Sequence, residues 1–171
     1  MATLHHNISG ELTQELLAPG ENVKVSKISL TNVQKVSKCK VDLYINRVAG
    51  EDYGKFYLLK EVELPIGATL IYDDIKFNNA VYGLYIKLTD GATFTLTGSI
   101  DPTASTTVTG VSTLFLSEVS IGDEILVSSE TRTVSAIASD TSLTVSVATT
   151  NTANDTTPDC NPTALVDVII N

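Results

Sequence analysis

Apolar residues in this chain recur at every second position, and nowhere do they hold a helical spacing for long. Val41, Leu43 and Ile45 alternate with Asp42, Tyr44 and Asn46. Tyr82, Leu84, Ile86 and Leu88 alternate with Gly83, Tyr85 and Lys87, and Leu143, Val145 and Val147 with Thr144, Ser146 and Ala148. Successive side chains on a strand point to opposite faces, so a period of two predicts half-buried β-strands. In "NVKVSKISL" the phase changes between Val23/Val25 and Ile28/Leu30, and one extra residue near Ser26–Lys27, a β-bulge, would restore a single buried face. Turn signals punctuate these runs at Pro19-Gly20, Ala49-Gly50-Glu51-Asp52, Pro65-Ile66-Gly67, Asp73-Asp74, Asn78-Asn79, Asp90-Gly91 and Ile121-Gly122-Asp123. Only "YLLKEV" carries a helical spacing, enough for one turn. The expectation is an all-β chain of β-sandwich or small-barrel type.

Composition divides the chain in two. Ten of its eleven Lys and Arg residues and all six tyrosines precede Gly91, whereas 28 of the 66 residues from Ala92 to Thr157 are Ser or Thr. The chain then closes on "ALVDVIIN", residues 164–171, which is apolar on both phases and calls for burial on both sides. The Ser/Thr-rich stretch offers mostly small side chains, so the better host is the apolar supply of residues 20–90. We therefore expect one β-sandwich domain from residues 1–91 plus 163–171, with residues 92–162 inserted as a second small β-domain. Such insertions are tolerated where strand ends lie close, because loop-closure entropy grows slowly with length.

Several function classes lose support at once. A net charge of −9 disfavours nucleic acid, whose binding depends on neutralising phosphates with Lys and Arg, and it disfavours an anionic membrane surface. No apolar run reaches the ~18–20 residues that span a bilayer, and "MATLHHNISGELTQELL" lacks the basic-then-apolar pattern of a signal peptide. The expectation is a soluble product of the cytoplasm. Cys39 and Cys160 lack metal or redox spacing. They read as two reduced thiols, with a Cys39–Cys160 disulfide as the alternative.

Catalytic groups are scarce. The only histidines, His5 and His6, adjoin a terminus expected to fray, and on a strand they would point to opposite faces. Ser112, in "GVSTLF", is not in a nucleophile elbow, and no central histidine could serve it as a base. Glycoside cleavage or calcium binding would need the carboxylates Glu51-Asp52, Asp73-Asp74 or Asp123-Glu124, which sit at turns where acids commonly bond backbone amides. Tyr44, Tyr57, Tyr72 and Tyr85 could form an outer-face ladder, as cross-strand packing or as a sugar-stacking surface. In "EILVSSETRTVSAI" a hairpin is expected around Ser128-Ser129-Glu130, and a second at Ser139-Asp140-Thr141, with Arg132 reaching Glu124 or Glu130 as an exposed pair. We assign no catalytic, cofactor-binding or metal-binding residue and expect no enzyme.

Two stretches resemble known protein families. "FYLLKEVELPIGATLIYDDIKFNNAVYGLYIKL", residues 56–88, resembles a segment of tailed-bacteriophage virion proteins, with an aromatic-Leu-Leu-Lys strand, a Pro-x-Gly turn and a strand ending in acids. The preceding "VSKISLTNVQKVSKCKVDLYINR" fits the same family, most closely small structural proteins of marine cyanophages. "TTVTGVSTLFLSEVSIGDEILVSSETRTVSAIASDTSLTV", residues 106–145, is similar to a small β-domain of phage tail, fibre and head proteins. That domain's marks are Thr-Val-Thr-Gly, x-Gly-Asp-x-Ile-x-Val, "ETRTV" and "SDTSLTV". The resemblance implies a jelly-roll-like antiparallel sandwich with an inserted small β-barrel-like domain, made in the host cytoplasm and located in the virion. It implies a non-enzymatic structural subunit without cofactors, foremost a capsid decoration or cement protein, alternatively a neck, tail or baseplate component. A receptor-binding module for host-surface glycan is the third reading. The implied partners are other virion proteins, the major capsid protein or neck and tail proteins, together with further copies of this chain.

Overall fold

A computed structural model of the chain describes residues 3–48, 54–73 and 75–171. Seven strands come first: β1 (Leu4–Ser9), β2 (Gln14–Leu17), β3 (Ile28–Asn32), β4 (Cys39–Asn46), β5 (Phe56–Leu64), β6 (Thr69–Tyr72) and β7 (Gly83–Thr89). There follow β8 (Phe94–Thr95), β9 (Ser99–Pro102), β10 (Thr107–Val111), a single helical turn α1 (Phe115–Glu118), β11 (Glu124–Val127), β12 (Glu130–Ser139), β13 (Ser142–Val145) and β14 (Asp159–Asn161). The last strand is β15 (Leu165–Ile170). The protein is all-β, and its sheets are antiparallel throughout.

Two compact units share these elements. The first comprises Met1–Gln34, Lys38–Asp90 and Ala164–Asn171; the second comprises Lys35–Ser37 and Gly91–Thr163.

In the first unit, one four-stranded sheet has the order β1-β15-β3-β6 and the other the order β2-β7-β4-β5. A single apolar core draws Ile8, Ile28, Leu30, Val166 and Val168 from the first sheet and Val41, Leu43, Leu84, Ile86 and Leu88 from the second. Two sheets burying one face each against a common core make a sandwich. The alternation that carries it is visible in β4, where Cys39, Val41 and Leu43 are buried and Lys40 is exposed. Each such side chain, fully buried, contributes about 1.5–3 kcal/mol relative to exposure.

β15 sits between β1 and β3, in register from Leu4–Ile170 to Ser9–Leu165 on one side and from Ile28–Ile170 to Asn32–Val166 on the other. Its doubly apolar sequence is not buried on both faces. Val166, Val168 and Ile170 are buried, but Ile169 is 37% exposed. Bonding to a strand on each side, rather than coverage of both faces, is what holds it.

Two local patterns have bulges as their cause. The amides of Ser26 and Lys27 both donate to the carbonyl of Asn171, at 2.7 and 3.1 Å, two residues set against one. Val23 and Val25 precede this bulge, outside any strand, and pack on the core from there. "YLLKEV" lies in β5 and forms no helical turn. Leu59 pairs with Leu43 and Val62 with Val41, so Lys60 and Glu61 together oppose Asp42. The three-residue spacing that looked helical is a strand period lengthened by one residue. Asp42 holds the irregularity, accepting the Glu61 amide at 2.6 Å and the Lys60 ammonium at 2.9 Å, and Glu61 takes a positive φ of 50°.

The second unit is one seven-stranded sheet of order β8-β14-β11-β12-β13-β10-β9. Ile100 of β9 and Asp155 exchange two backbone hydrogen bonds of 2.8 Å, which ties the last strand of the sheet back to the segment leading into β14. Its core gathers Ile100, Val108, Phe115, Ile125, Leu143 and Val145. The β11–β12 hairpin turns on Ser128 and Ser129, both at positive φ (50° and 69°), the backbone that a two-residue turn requires. The β12–β13 hairpin turns at Asp140-Thr141, between Ser139 and Ser142. Val147, expected to continue the alternation of β13, falls beyond the strand and is 62% exposed.

Both cysteines are free and buried, Cys39 in the core of the first unit and Cys160 in that of the second, so no disulfide joins them. Among the described residues, no helix is long and apolar enough to cross a membrane.

Candidate functional site

The outer face of the β2-β7-β4-β5 sheet carries an aromatic row. Pairing of Glu15 with Tyr85, Tyr85 with Tyr44 and Tyr44 with Tyr57 sets these four side chains side by side across all four strands. The Tyr44 ring stacks on Tyr85 with centroids 5.7 Å apart and meets Tyr57 at 5.5 Å, tilted by 51°. The Tyr85 hydroxyl donates to Glu15 Oε2 at 3.0 Å, and the Tyr44 hydroxyl lies 3.4 Å from Thr13 Oγ1. Lys55 sits over Tyr44 and Lys60 over Tyr57, at 4.9 and 4.7 Å from the ring centres.

Of the four tyrosines expected in a ladder, Tyr72 does not belong, because it lies on β6 in the other sheet and packs on the core. Tyr44 and Tyr85 are buried at 2% and 1% exposure, so only Tyr57 offers a free ring edge. Burial and the bond to Glu15 push the Tyr85 hydroxyl up to about 12. The row is therefore packing first, with one exposed aromatic, Tyr57, at its end.

A different concavity lies in the second unit. A groove of about 420 Å³ is lined by Ser128, Ser129, Asn151, Asn154, Thr157 and Asp159, with Leu126 and Ala153 as apolar contributions. Its frame is tightly bonded. Asp155 accepts the Ser128 amide at 2.6 Å and the Thr157 amide at 2.9 Å, while Asn151 donates to the Ser128 carbonyl at 2.9 Å. The loop behind it is gathered by Glu130, which accepts from the Thr150 amide and hydroxyl, the Asn151 amide and the Arg132 guanidinium. Those bonds, led by that of the Thr150 hydroxyl, hold the Glu130 carboxyl below its usual range. The Arg132–Glu130 pair, expected to be exposed, is sheltered, with side chains 18% and 17% exposed. Residues 149–157 carry no apolar alternation from which a strand could be read. Their Asn, Asp and Thr residues were signal enough for turns, but the convergence on Glu130 and Asp155 depends on strands far away in the chain.

The carboxylates weighed for catalysis have different settings where they are described. Asp123 is buried and accepts the amides of Ser120 at 2.7 Å and Thr163 at 3.0 Å, as turn acids do, and Glu124 is an exposed strand residue. Asp73 is exposed, on the rim of an open groove in the first unit, whereas Asp74 and the turn at Ala49-Gly50-Glu51-Asp52 lie outside the described residues. His5 and His6 belong to β1, paired with Ile169 and Val168, rather than to a frayed end. Ser112 is exposed, with a φ of 55°. Among the described residues, no group of three or more His, Cys, Asp or Glu side chains is arranged to hold a metal.

Compared with known proteins, the chain matches no family model, no curated protein and no solved structure.

Proposed function

We propose that this chain is a non-enzymatic structural subunit of a tailed-phage virion, foremost a decoration or cement protein repeated on the capsid. The observation that carries the reading is strand order. Lettered B to I along the chain, the eight described strands of the first unit form sheets in the orders B-I-D-G and C-H-E-F, which supports reading the sandwich as the double Greek key of a jelly roll. The second unit is threaded between strands H and I of that jelly roll and reads as an insertion. Fold alone does not assign a role. The phage-like motifs of residues 25–47, 56–88 and 106–145 supply the class, and the strand order agrees with what they imply. Small size and an acidic surface suit a subunit that docks by sheet edges and faces onto other virion proteins and onto its own copies.

Copy number in purified particles tests the position. Hundreds of copies, with density over the capsid lattice by cryo-electron microscopy, are expected of a decoration protein. Tens or fewer, with density at the neck or tail, would replace decoration by a neck, tail or baseplate role. Absence from virions would overturn the proposal.

A second reading, binding of host-surface glycan, is favoured by the groove of the second unit. Ser129, Asn154, Thr157 and Asp159 line it together with Leu126, a mixed polar and apolar lining of the kind that sugar binding uses. Loss of adsorption in an Asn154→Ala variant with unchanged melting temperature is its expected signature. Unchanged adsorption would remove it.

A further inference from the structure

The open sheet edges of the first unit are not alike. An exposed edge presents unpaired N–H and C=O groups, and proteins guard such edges with bulges, lysines or very short strands. β5 is guarded by two register irregularities and by Lys60, β2 is four residues long with an irregularity between Glu15 and Leu17, and β6 is four residues long. β1 has none of these. Six residues run in unbroken register against β15, without proline, lysine or carboxylate.

The direction of its free hydrogen-bonding groups follows from the ladder. Gly10 donates its amide to the carbonyl of Ala164 at 2.9 Å, one step beyond the Ser9–Leu165 pair. Bonded and non-bonded pairs alternate in an antiparallel ladder, so Leu4, His6 and Ile8 bond to β15, and the backbone groups of His5, Asn7 and Ser9 point away from it. The Ser9 carbonyl there accepts from Gln14 Nε2 at 3.3 Å, which leaves the amides and carbonyls of His5 and Asn7 to meet a further strand. Side chains divide in the same way. Ile8 is in the core and Leu4 packs against it, with His6 between them on that face, while His5 and Asn7 are exposed.

The strand is also nearly symmetric about its centre. Leu4-His5-His6-Asn7-Ile8 reads apolar, polar, His, polar, apolar from either end. At the centre, His6 Nε2 is buried and has no hydrogen-bond partner among the described residues, a costly state for a polar atom. A groove of about 350 Å³ opens beside it, lined by His5, His6, Asn7, Asp167, Val168 and Ile169.

From this we infer that β1 is a self-association edge, pairing antiparallel with β1 of a second copy about a two-fold axis through His6. The register that sets Leu4 opposite Ile8 of the partner subunit keeps apolar residues together on the core side. It forms the new backbone bonds between His5 and Asn7 of the partner subunit, and the reverse. It places the two His6 rings opposite each other at a non-bonded position, where side chains approach most closely. Each ring then supplies a polar neighbour for the other. β1 contributes no Lys, Arg, Asp or Glu, so two chains of net charge −9 meet where neither strand carries a charge to repel the other. The result is a continuous eight-stranded sheet across the dimer. This deepens the self-association within the proposed function and rests on that reading only there, so copy number on particles and mass in solution can fail separately.

The test is light scattering of the full chain after size exclusion, with four variants. The parent chain is expected at twice its 18.2 kDa mass. His5→Pro removes an outward amide while leaving the bonds to β15, and should weaken the dimer about tenfold or more with the β-sheet circular dichroism retained. His5→Cys, His6→Cys and Asn7→Cys are then oxidised singly, Cys39 and Cys160 being buried. A disulfide-linked dimer through His6→Cys supports the stated register, and one through either neighbour supports the edge with the register shifted. A monomer at high micromolar concentration would overturn the inference. So would a dimer that is indifferent to His5→Pro and linked by none of the three cysteines.

Discussion

Tyr85 donates its hydroxyl to Glu15 Oε2 across the β2–β7 pair at 3.0 Å, and its ring lies over Gly83, two residues earlier in the same strand. A Cβ on Gly83 would come within 2.7 Å of that hydroxyl and 2.9 Å of the Leu17 carbonyl. The glycine is therefore needed for close approach, since its φ is not in the left-handed region.

Gly83→Ala is accordingly expected to lose about 1–3 kcal/mol, the usual range for overpacking against backbone. Either Tyr85 leaves Glu15 or β2 shifts at Leu17. Denaturant unfolding measures the loss, and tyrosine fluorescence reports whether the hydroxyl has changed partner.

Alkaline pH should weaken the fold through three groups that are buried in their neutral forms. Burial pushes the Cys39 thiol up to about 11 and the Cys160 thiol up to about 12, and nearby Asp90 and Asp123 add to this. The Tyr85 hydroxyl rises to about 12. Because each folded value lies above the unfolded one, their contribution is complete below about pH 8.5 and is lost as pH rises from there toward 11–12. Urea midpoints at pH 8 and pH 10.5 should differ in the parent chain. The difference should shrink in Cys160→Ala, which removes one of the three.

At the acid end Glu130 has the opposite sign. Its folded value lies below the ordinary 4.5, so its contribution is present above that pH and lost as pH falls through the folded value. Glu130→Gln should destabilise the protein at pH 7, and the gap between variant and parent should narrow below about pH 4. Melting temperatures across pH 3–7 check both statements.

The β11–β12 turn can be improved. Ser128 and Ser129 both hold left-handed backbone, which costs an L-residue other than glycine, asparagine or aspartate roughly 1 kcal/mol. Ser128 is engaged through its amide with Asp155 and through its hydroxyl with Ala153. Ser129→Gly is therefore the change to make. An increase of about 0.5–1 kcal/mol in stability is expected, read as a raised denaturation midpoint.

The strand period was legible along the chain because burial of one sheet face imposes it residue by residue. Val41, Leu43, Leu84 and Ile86 all declare their face. The bulge at Ser26–Lys27 was legible as well, since an extra residue inverts the phase on either side of it. The bulge in β5 was not, because Leu59 and Val62 present the same spacing that a helix would. Only the position of Asp42 opposite Lys60 and Glu61 distinguishes the two. The tyrosine row was half legible. Alternation placed Tyr44, Tyr57 and Tyr85 on one face, but Tyr72 belongs to another sheet, and no local pattern states which sheet a strand joins.

What the sequence by itself determined is therefore local: all-β structure, the phase of the regularly alternating strands, and turns at glycine, asparagine, aspartate and serine, each set by backbone sterics and one-sided burial within a few residues. What only the tertiary structure decided is pairing across long separations. β15 between β1 and β3, Glu130 gathering Thr150 and Arg132, and an open β1 edge with an unpartnered His6 all depend on which strands meet. That choice is made by the summed burial of two whole sheets and by backbone groups that are identical in every residue, so no single segment carries it.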